Sequence, residues 1–119
     1  MSHTKSREVV LAVNITAEVV ERLDALRDAW RRDVHAVPKG LSCSESKEGE
    51  FVLVAAEAAF TTLPGACVLK SIGAIELVGI QPVFEEGASS KTLVLRHTPD
   101  GWKFSVKFVP PIIRDRNRK

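Results

Sequence analysis

The strongest constraint on the fold is a short stretch of alternating apolar residues that runs directly into an amphipathic segment. Large apolar side chains occupy the odd positions of residues 9–15, and a period of two predicts a strand with one buried face. Thr16 then offers an N-cap hydroxyl, and apolar residues from Val19 to Trp30 recur at helical spacing. We therefore expect a strand over residues 9–15 and a helix from about 16 to 33.

A second apolar segment, residues 50–60, is interrupted only by Glu57 and ends before Pro64 and Gly65. We interpret it as a second helix that begins near residue 47, with Ser44 or Ser46 as its cap, after a polar loop over residues 41–49. A helix that is apolar around most of its circumference is buried on most sides. In so short a chain this predicts burial against a partner subunit.

The C-terminal half has the alternation of β-strands, at residues 75–80, 92–97 and 102–108. The turn sequence Thr98-Pro-Asp-Gly101 predicts that the last two strands form a hairpin, and residues 85–90 are expected to be an exposed loop. On the last strand Trp102, Phe104, Val106 and Phe108 predict a buried face. Lys103 and Lys107 lie on its wet face, either as a modest basic stripe or as protection of an edge strand against aggregation.

These patterns predict an α+β fold of two parts. Residues 1–64 are expected to form a strand-helix-helix dimerisation module, and residues 65–119 a small antiparallel β region with a basic tail. Apolar residues make up 45% of the 119, which is enough for a hydrophobic core. No apolar run approaches the roughly 18 residues that a membrane span needs, and the polar start does not fit a signal peptide. We therefore expect a cytoplasmic protein without membrane contact.

Basic residues are concentrated in the second half of the chain. The first 64 residues carry ten acidic and eight basic residues, whereas the remainder carries five acidic and nine basic. Four of these bases lie in the final six residues, at Arg114, Arg116, Arg118 and Lys119. Such a tail is interpreted as a solvated, frayed terminus or as an arm that contacts phosphates.

No combination of residues predicts catalysis, a cofactor or a metal. The three histidines are scattered, without metal-ligand spacing to cysteine or carboxylate residues. His97, beside the predicted turn, is expected to be structural or solvated rather than an acid-base residue. Cys43 and Cys67 lie in unrelated contexts and are predicted to be free thiols.

The N-terminal half resembles the ribbon-helix-helix DNA-binding family, in residues 11–26 (LAVNITAEVVERLDAL) and 50–55 (EFVLVA). In that family two chains intertwine, and their strands pair as a ribbon whose outward side chains enter the major groove. The resemblance implies a homodimer that binds double-stranded DNA. By position, the outward residues are Val10, Ala12 and Asn14, of which Asn14 has the donor and acceptor that can bind an adenine edge.

The same resemblance implies a phosphate contact at the start of the second helix, near Ser46 and Lys47, where free N–H groups would hold the anion. Together with the basic tail, these positions predict a small dimeric transcriptional regulator that binds specific DNA sequences. The alternative is a non-enzymatic interaction or assembly module that uses the same apolar helix. In either case the C-terminal β region is available to contact another protein.

A third possibility is a degenerate relative of the two-histidine phosphoesterases, whose first strand and helix are similar to residues 10–15 (VLAVNI) and 19–23 (VVERL). Those enzymes need two His-x-Thr/Ser motifs, because two imidazoles act as acid and base on the phosphodiester. Here none of His3, His35 and His97 stands in such a motif. We therefore expect no phosphoesterase activity.

Overall fold

The computed structural model describes residues 5–11, 15–37, 39–63, 66–69, 75–78 and 84–111. Within these ranges the chain forms eight β-strands and one α-helix. In chain order the elements are β1 (Arg7–Leu11), α1 (Ala17–Arg32), β2 (Leu41–Glu45), β3 (Phe51–Ala56), β4 (Phe60–Leu63), β5 (Ala66–Leu69), β6 (Ile75–Val78), β7 (Ser89–Thr98) and β8 (Gly101–Val109). A single 3-10 turn at Glu57–Ala59 separates β3 from β4.

The described strands form two antiparallel sheets. The larger has the order β1-β8-β7-β3-β2, and the smaller has the order β4-β5-β6. β1 and β2 are joined through α1 but lie at opposite edges of the five-stranded sheet. That sheet takes β1, β2 and β3 from residues 1–64 and β7 and β8 from residues 65–119, so both halves of the chain share one sheet.

The first predicted helix is confirmed as α1. Thr16 caps it, since its Oγ1 accepts a hydrogen bond of 3.2 Å from the backbone N–H of Val19. Val19, Leu23 and Leu26 recur at helical spacing and are buried. Within the described ranges no helix is long and apolar enough to cross a membrane.

Helix α1 packs on one side of the five-stranded sheet, which we call the inner face. The buried residues of the inner face are Phe51, Leu53, Ala55, Leu93, Leu95, Trp102, Phe104, Val106 and Phe108. The ring centroid of Trp30 on α1 lies 5.5 Å from that of Phe51, which in turn lies 5.9 Å from that of Trp102. These rings place Phe51 at the centre of the contact between helix and sheet.

The smaller sheet extends the same core. Phe60 on β4 and Cys67 and Leu69 on β5 are buried in one cluster with the inner face. Phe84, which precedes β7, bridges the two sheets, because its ring centroid lies 6.4 Å from that of Phe60 and 5.8 Å from that of Phe108.

The predicted strand-helix-helix fold is wrong, because the second helix does not form. Residues 50–60 contain β3, the 3-10 turn and the start of β4, and the expected loop before them contains β2. Phe51, Leu53 and Ala55 are fully buried on the inner face, while Val52 and Val54 are half-buried on the other side. A strand with apolar residues on both sides has a continuous apolar sequence, which periodicity cannot distinguish from a buried helix. The chain is thus mostly β, with one described helix.

The predicted hairpin is confirmed as β7 and β8, connected by Pro99 and Asp100. Gly101 follows with a φ of +115°, in the left-handed region that favours glycine. The predicted buried face of the last strand is also confirmed, because its four apolar residues are at most 6% exposed. The protection of an edge by Lys103 and Lys107 is wrong, since β8 lies between β1 and β7. Of the loop expected at residues 85–90, the last two belong to β7.

The central position of Phe51 generates a stability prediction. Phe51→Ala is expected to lower the free energy of unfolding by about 3–5 kcal/mol, because it leaves a cavity between Trp30, Trp102 and the sheet. Urea denaturation measures the change. The matched control is Val34→Ala, which truncates a side chain of a residue that is 55% exposed and should change stability by no more than about 0.5 kcal/mol. A loss below about 1 kcal/mol for the phenylalanine variant would contradict this packing.

Candidate interaction surface

The side of the five-stranded sheet that points away from α1, which we call the outer face, carries a row of small side chains. Directly paired residues of antiparallel strands project to the same side. The pairs Val10 with Ser105, Ser105 with Val94, Val94 with Val54 and Val54 with Ser42 therefore form one row across all five strands. Three of the five members are valines.

The outer face differs in exposure from one edge of the sheet to the other. Val94 in the centre is 2% exposed, Val54 is half-buried, and Val10 on β1 is 69% exposed. In the described part of the chain, the core cluster of α1 and the smaller sheet includes only the inner-face side chains of the larger sheet. The outer-face valines are therefore outside the core that holds the molecule together.

Charged residues border this row and leave it with an excess of positive charge. Arg96 on β7 pairs with Lys103 on β8, and Glu8 on β1 pairs with Lys107. Arg96 binds Glu8, with 2.7 Å between Nη2 and Oε1. The hydroxyl of the buried Ser105 donates a hydrogen bond of 2.6 Å to Glu8 Oε2. Glu8, the single carboxylate among the described outer-face residues, is thus already bound within the chain, while Lys103 and Lys107 are exposed.

These contacts set the protonation of Glu8. Burial by itself raises the pKa of the carboxyl, but hydrogen bonds from Arg96 and Ser105 and the positive charges of Arg96 and Lys107 outweigh it. The pKa of Glu8 is consequently lowered from its ordinary value of 4.5. A carboxyl with a lowered pKa in the folded state stabilises that state above its unfolded pKa, and this stabilisation is lost as the pH falls through the folded value.

A second surface feature is an open groove of about 510 Å³ between the β2–β3 turn and the β7–β8 turn. Glu48, Glu50 and His97 are among its lining residues. His97 contacts both α1 and β8. Arg27 Nη1 lies 3.3 Å from its Nε2, and the centroid of the Trp102 ring lies 5.0 Å from that of the imidazole. These contacts give His97 a place in the junction of helix and sheet, which agrees with a structural histidine.

The same junction contains a polar contact that the sequence did not indicate. Trp102 Nε1 donates a hydrogen bond of 3.0 Å to Oδ1 of Asp24, and Arg27 lies 3.4 Å from the same carboxylate oxygen. Asp24 and Arg27 occupy the polar side of α1 in the sequence pattern. Their partners on β7 and β8 became apparent only once the sheet order was known.

The described residues show no metal or thiol chemistry. Among them no group of three His, Cys, Asp or Glu side chains could hold a metal ion. Cys43 and Cys67 are free, as predicted. Burial raises the pKa of both thiols to about 11. Because the thiolate is the nucleophile, this environment disfavours nucleophilic catalysis by either cysteine.

Three of the predicted DNA-binding residues, Val10, Ser46 and Lys47, lie in the described part of the chain, at opposite edges of the larger sheet. Val10 lies on the outer face of β1 and is exposed. Ser46 and Lys47 lie in the β2–β3 turn, where Ser46 Oγ accepts a hydrogen bond of 3.1 Å from Glu50 N. No helix begins there, so the predicted phosphate contact through helical N–H groups is wrong. The other predicted DNA-binding positions lie outside the described residues: Ala12, Asn14, Arg114, Arg116, Arg118 and Lys119.

β1 has a partner strand within its own chain. β1 pairs with β8 of its own chain, from Arg7 opposite Phe108 to Leu11 opposite Phe104, and so belongs to a larger sheet. The sequence did not identify Val52 and Val54, which are half-buried on the outer face, as surface residues. The β-branched side chains of residues 52–54 favour a strand and were the available signal.

Comparisons with models of known protein families, with curated proteins and with solved structures found no match. The chemistry of the described surfaces is therefore the basis for assigning a function.

The Glu8 contacts generate a pH prediction. As the pH falls below about 4.5, wild type should lose stability more steeply than Glu8→Gln, because the variant has no carboxylate to protonate at this site. Thermal unfolding between pH 7 and about pH 3 measures both slopes. Glu21→Gln, which changes an exposed carboxylate of α1 outside these contacts, should keep the wild-type slope. Parallel curves for wild type and Glu8→Gln would contradict the assignment.

Proposed function

We propose that the chain is a non-enzymatic protein-interaction module that binds a partner protein through its outer face. The observation that carries this proposal is the apolar surface of Val10, which is 69% exposed, and of the half-buried Val54, both on the outer face, outside the core cluster and in a row bordered by exposed lysines. Apolar surface surrounded by polar residues is typical of sites where proteins bind one another. We propose the cytoplasm as its location, because free cysteines persist in a reducing compartment.

The charges of the outer face favour a partner with an apolar centre and an acidic rim. Lys103 and Lys107 project from β8 next to the valine row, and the only described carboxylate facing them, Glu8, is bound to Arg96. Two copies of this face packed against each other would bring like charges together, which costs energy. The face therefore fits a different protein better than a second copy of the chain.

A nucleic acid is the competing ligand, since a DNA-binding regulator was the first expectation from the sequence. Affinity for DNA comes largely from many lysine and arginine contacts with phosphates. The described outer face offers Lys103 and Lys107 as cations, with Arg96 engaged by Glu8. Of the two serines in the row, Ser105 is buried and already bound to Glu8, and Ser42 lies at the far edge on β2. This composition favours a protein ligand.

The test is selection of binders from a displayed library of random peptides. Enriched peptides are expected to combine apolar residues with Asp or Glu. The double variant Lys103→Glu/Lys107→Glu should weaken their binding by about tenfold or more, because it replaces attraction at the rim with repulsion. The control, Lys39→Glu/Lys47→Glu, makes the same change in net charge at exposed lysines away from the face and should leave the affinity unchanged.

Equal losses in both double variants would show only a general effect of charge and would contradict the proposal. Failure to enrich any peptide that responds to the outer-face lysines would also contradict it. A titration with duplex DNA at two salt concentrations tests the competing ligand. Salt-sensitive DNA binding that disappears in Lys103→Glu/Lys107→Glu would replace the protein partner with a nucleic acid.

A further inference from the structure

β1 is an edge strand of the five-stranded sheet in the described part of the chain. β1 pairs with β8 along one side, and among the described residues no strand pairs with its other side. An edge strand presents a row of backbone N–H and C=O groups that can pair with another chain. Natural sheets protect such edges with charges, prolines, bulges or covering elements.

The apolar side chains of β1 lack this protection. Three large apolar residues are exposed in the described part of the chain: Val9 at 39%, Val10 at 69% and Val34 at 55%. Two of the three are adjacent on β1, so the open edge is apolar on both sides of the sheet. An exposed, apolar edge strand is a site of aggregation unless another strand covers it.

The charges of β1 are already used inside the chain. Arg7 forms an ion pair with Glu85, and Glu8 forms one with Arg96 at 2.7 Å. They are therefore less available to repel an approaching strand than unpaired charges would be. Within the described pairing of β1 with β8, each residue has one partner in regular succession, so no bulge turns this edge away.

The opposite edge, β2, is constructed differently. Its outer-face residues are Ser42 and Ser44, and its inner-face residue Glu45 is held by Arg31 of α1. Both edges therefore carry ion-paired charges, and they differ in apolar exposure, because Val9 and Val10 of β1 are exposed whereas the apolar residues of β2 are not. β1 is therefore the edge with apolar surface for a second strand to cover.

We propose that a second copy of this chain pairs with the free edge of β1 in antiparallel orientation, about a two-fold axis perpendicular to the sheet. A register centred on Val9 places Val9 of one copy opposite Val9 of the other, Glu8 opposite Val10, and Arg7 opposite Leu11. Each pair joins residues of the same face, so the inner and outer faces of the two copies stay continuous. Pairing satisfies the free N–H and C=O groups and covers both exposed valines.

This inference goes beyond the proposed function, because it uses a different surface and a different partner. The second apolar helix, from which the sequence predicted a dimer, does not form. The free edge of β1 is an independent basis for a dimer. In the paired form the two outer faces adjoin, and a bound partner meets a surface twice as wide.

The test is sedimentation equilibrium of the full chain with Val9→Lys and a matched control. Wild type is expected to be dimeric at about 100 μM, and Val9→Lys should raise the dissociation constant of the dimer about tenfold or more, since it places two cations directly opposite each other at the two-fold axis. The control Val34→Lys changes an equally large, exposed valine away from the edge and should leave the dimer unchanged. Circular dichroism and the melting temperature verify that both variants fold.

Hydrogen exchange provides a second measurement. Amides of residues 7–11 that face the free edge should exchange more slowly as the protein concentration rises, while those of β2 should not change. A wild-type monomer at about 100 μM overturns the proposal. So does a dimer that Val9→Lys leaves intact, or one that Lys103→Glu/Lys107→Glu weakens instead, because the interface would then lie on the outer face.

Discussion

The pairing of β3 with β7 is the interaction on which the rest of the structure depends. It joins a strand from the first half of the chain to one from the second, and it places Phe51, Leu53 and Ala55 beneath α1, where all three are fully buried. Without it, β2 would have no connection to the hairpin of β7 and β8. The helix would then lack the surface that its own apolar side requires, because a single amphipathic helix cannot bury that side alone.

Local sequence signals were sufficient to predict α1 and the hairpin of β7 and β8. Thr16 and the apolar spacing of α1 are features of neighbouring residues, and the turn sequence between β7 and β8 needs only four residues. The apolar run at residues 50–60 was interpreted as a helix because its continuity hid the alternation between a core side and a half-buried side. A buried strand is distinguished from a buried helix here by the position of β3 inside a sheet. That position depends on β7, a strand distant in the sequence.

The candidate surface was less accessible to sequence analysis than the fold. Val10 was identified, although as part of a ribbon rather than of an outer face. Val54 and Val94 are neighbours only through the pairing of β3 with β7, and no local pattern brings residues that far apart in the chain into contact. The same holds for Glu8, whose contacts with Arg96 and Ser105 link the first strand to the last two. Interaction surfaces built across strands are properties of the sheet order.

The separation of β1 and β2 to opposite edges has a consequence for how the protein is made. During synthesis β1 and α1 leave the ribosome long before β8, the described strand that pairs with β1. β1 cannot join the sheet until the hairpin of β7 and β8 has formed. Until then Val9 and Val10 are not paired with β8. The sheet must grow outward from β3, β7 and β8, and such dependence on distant contacts slows folding. The nascent chain is thus most prone to misassembly just before β8 appears.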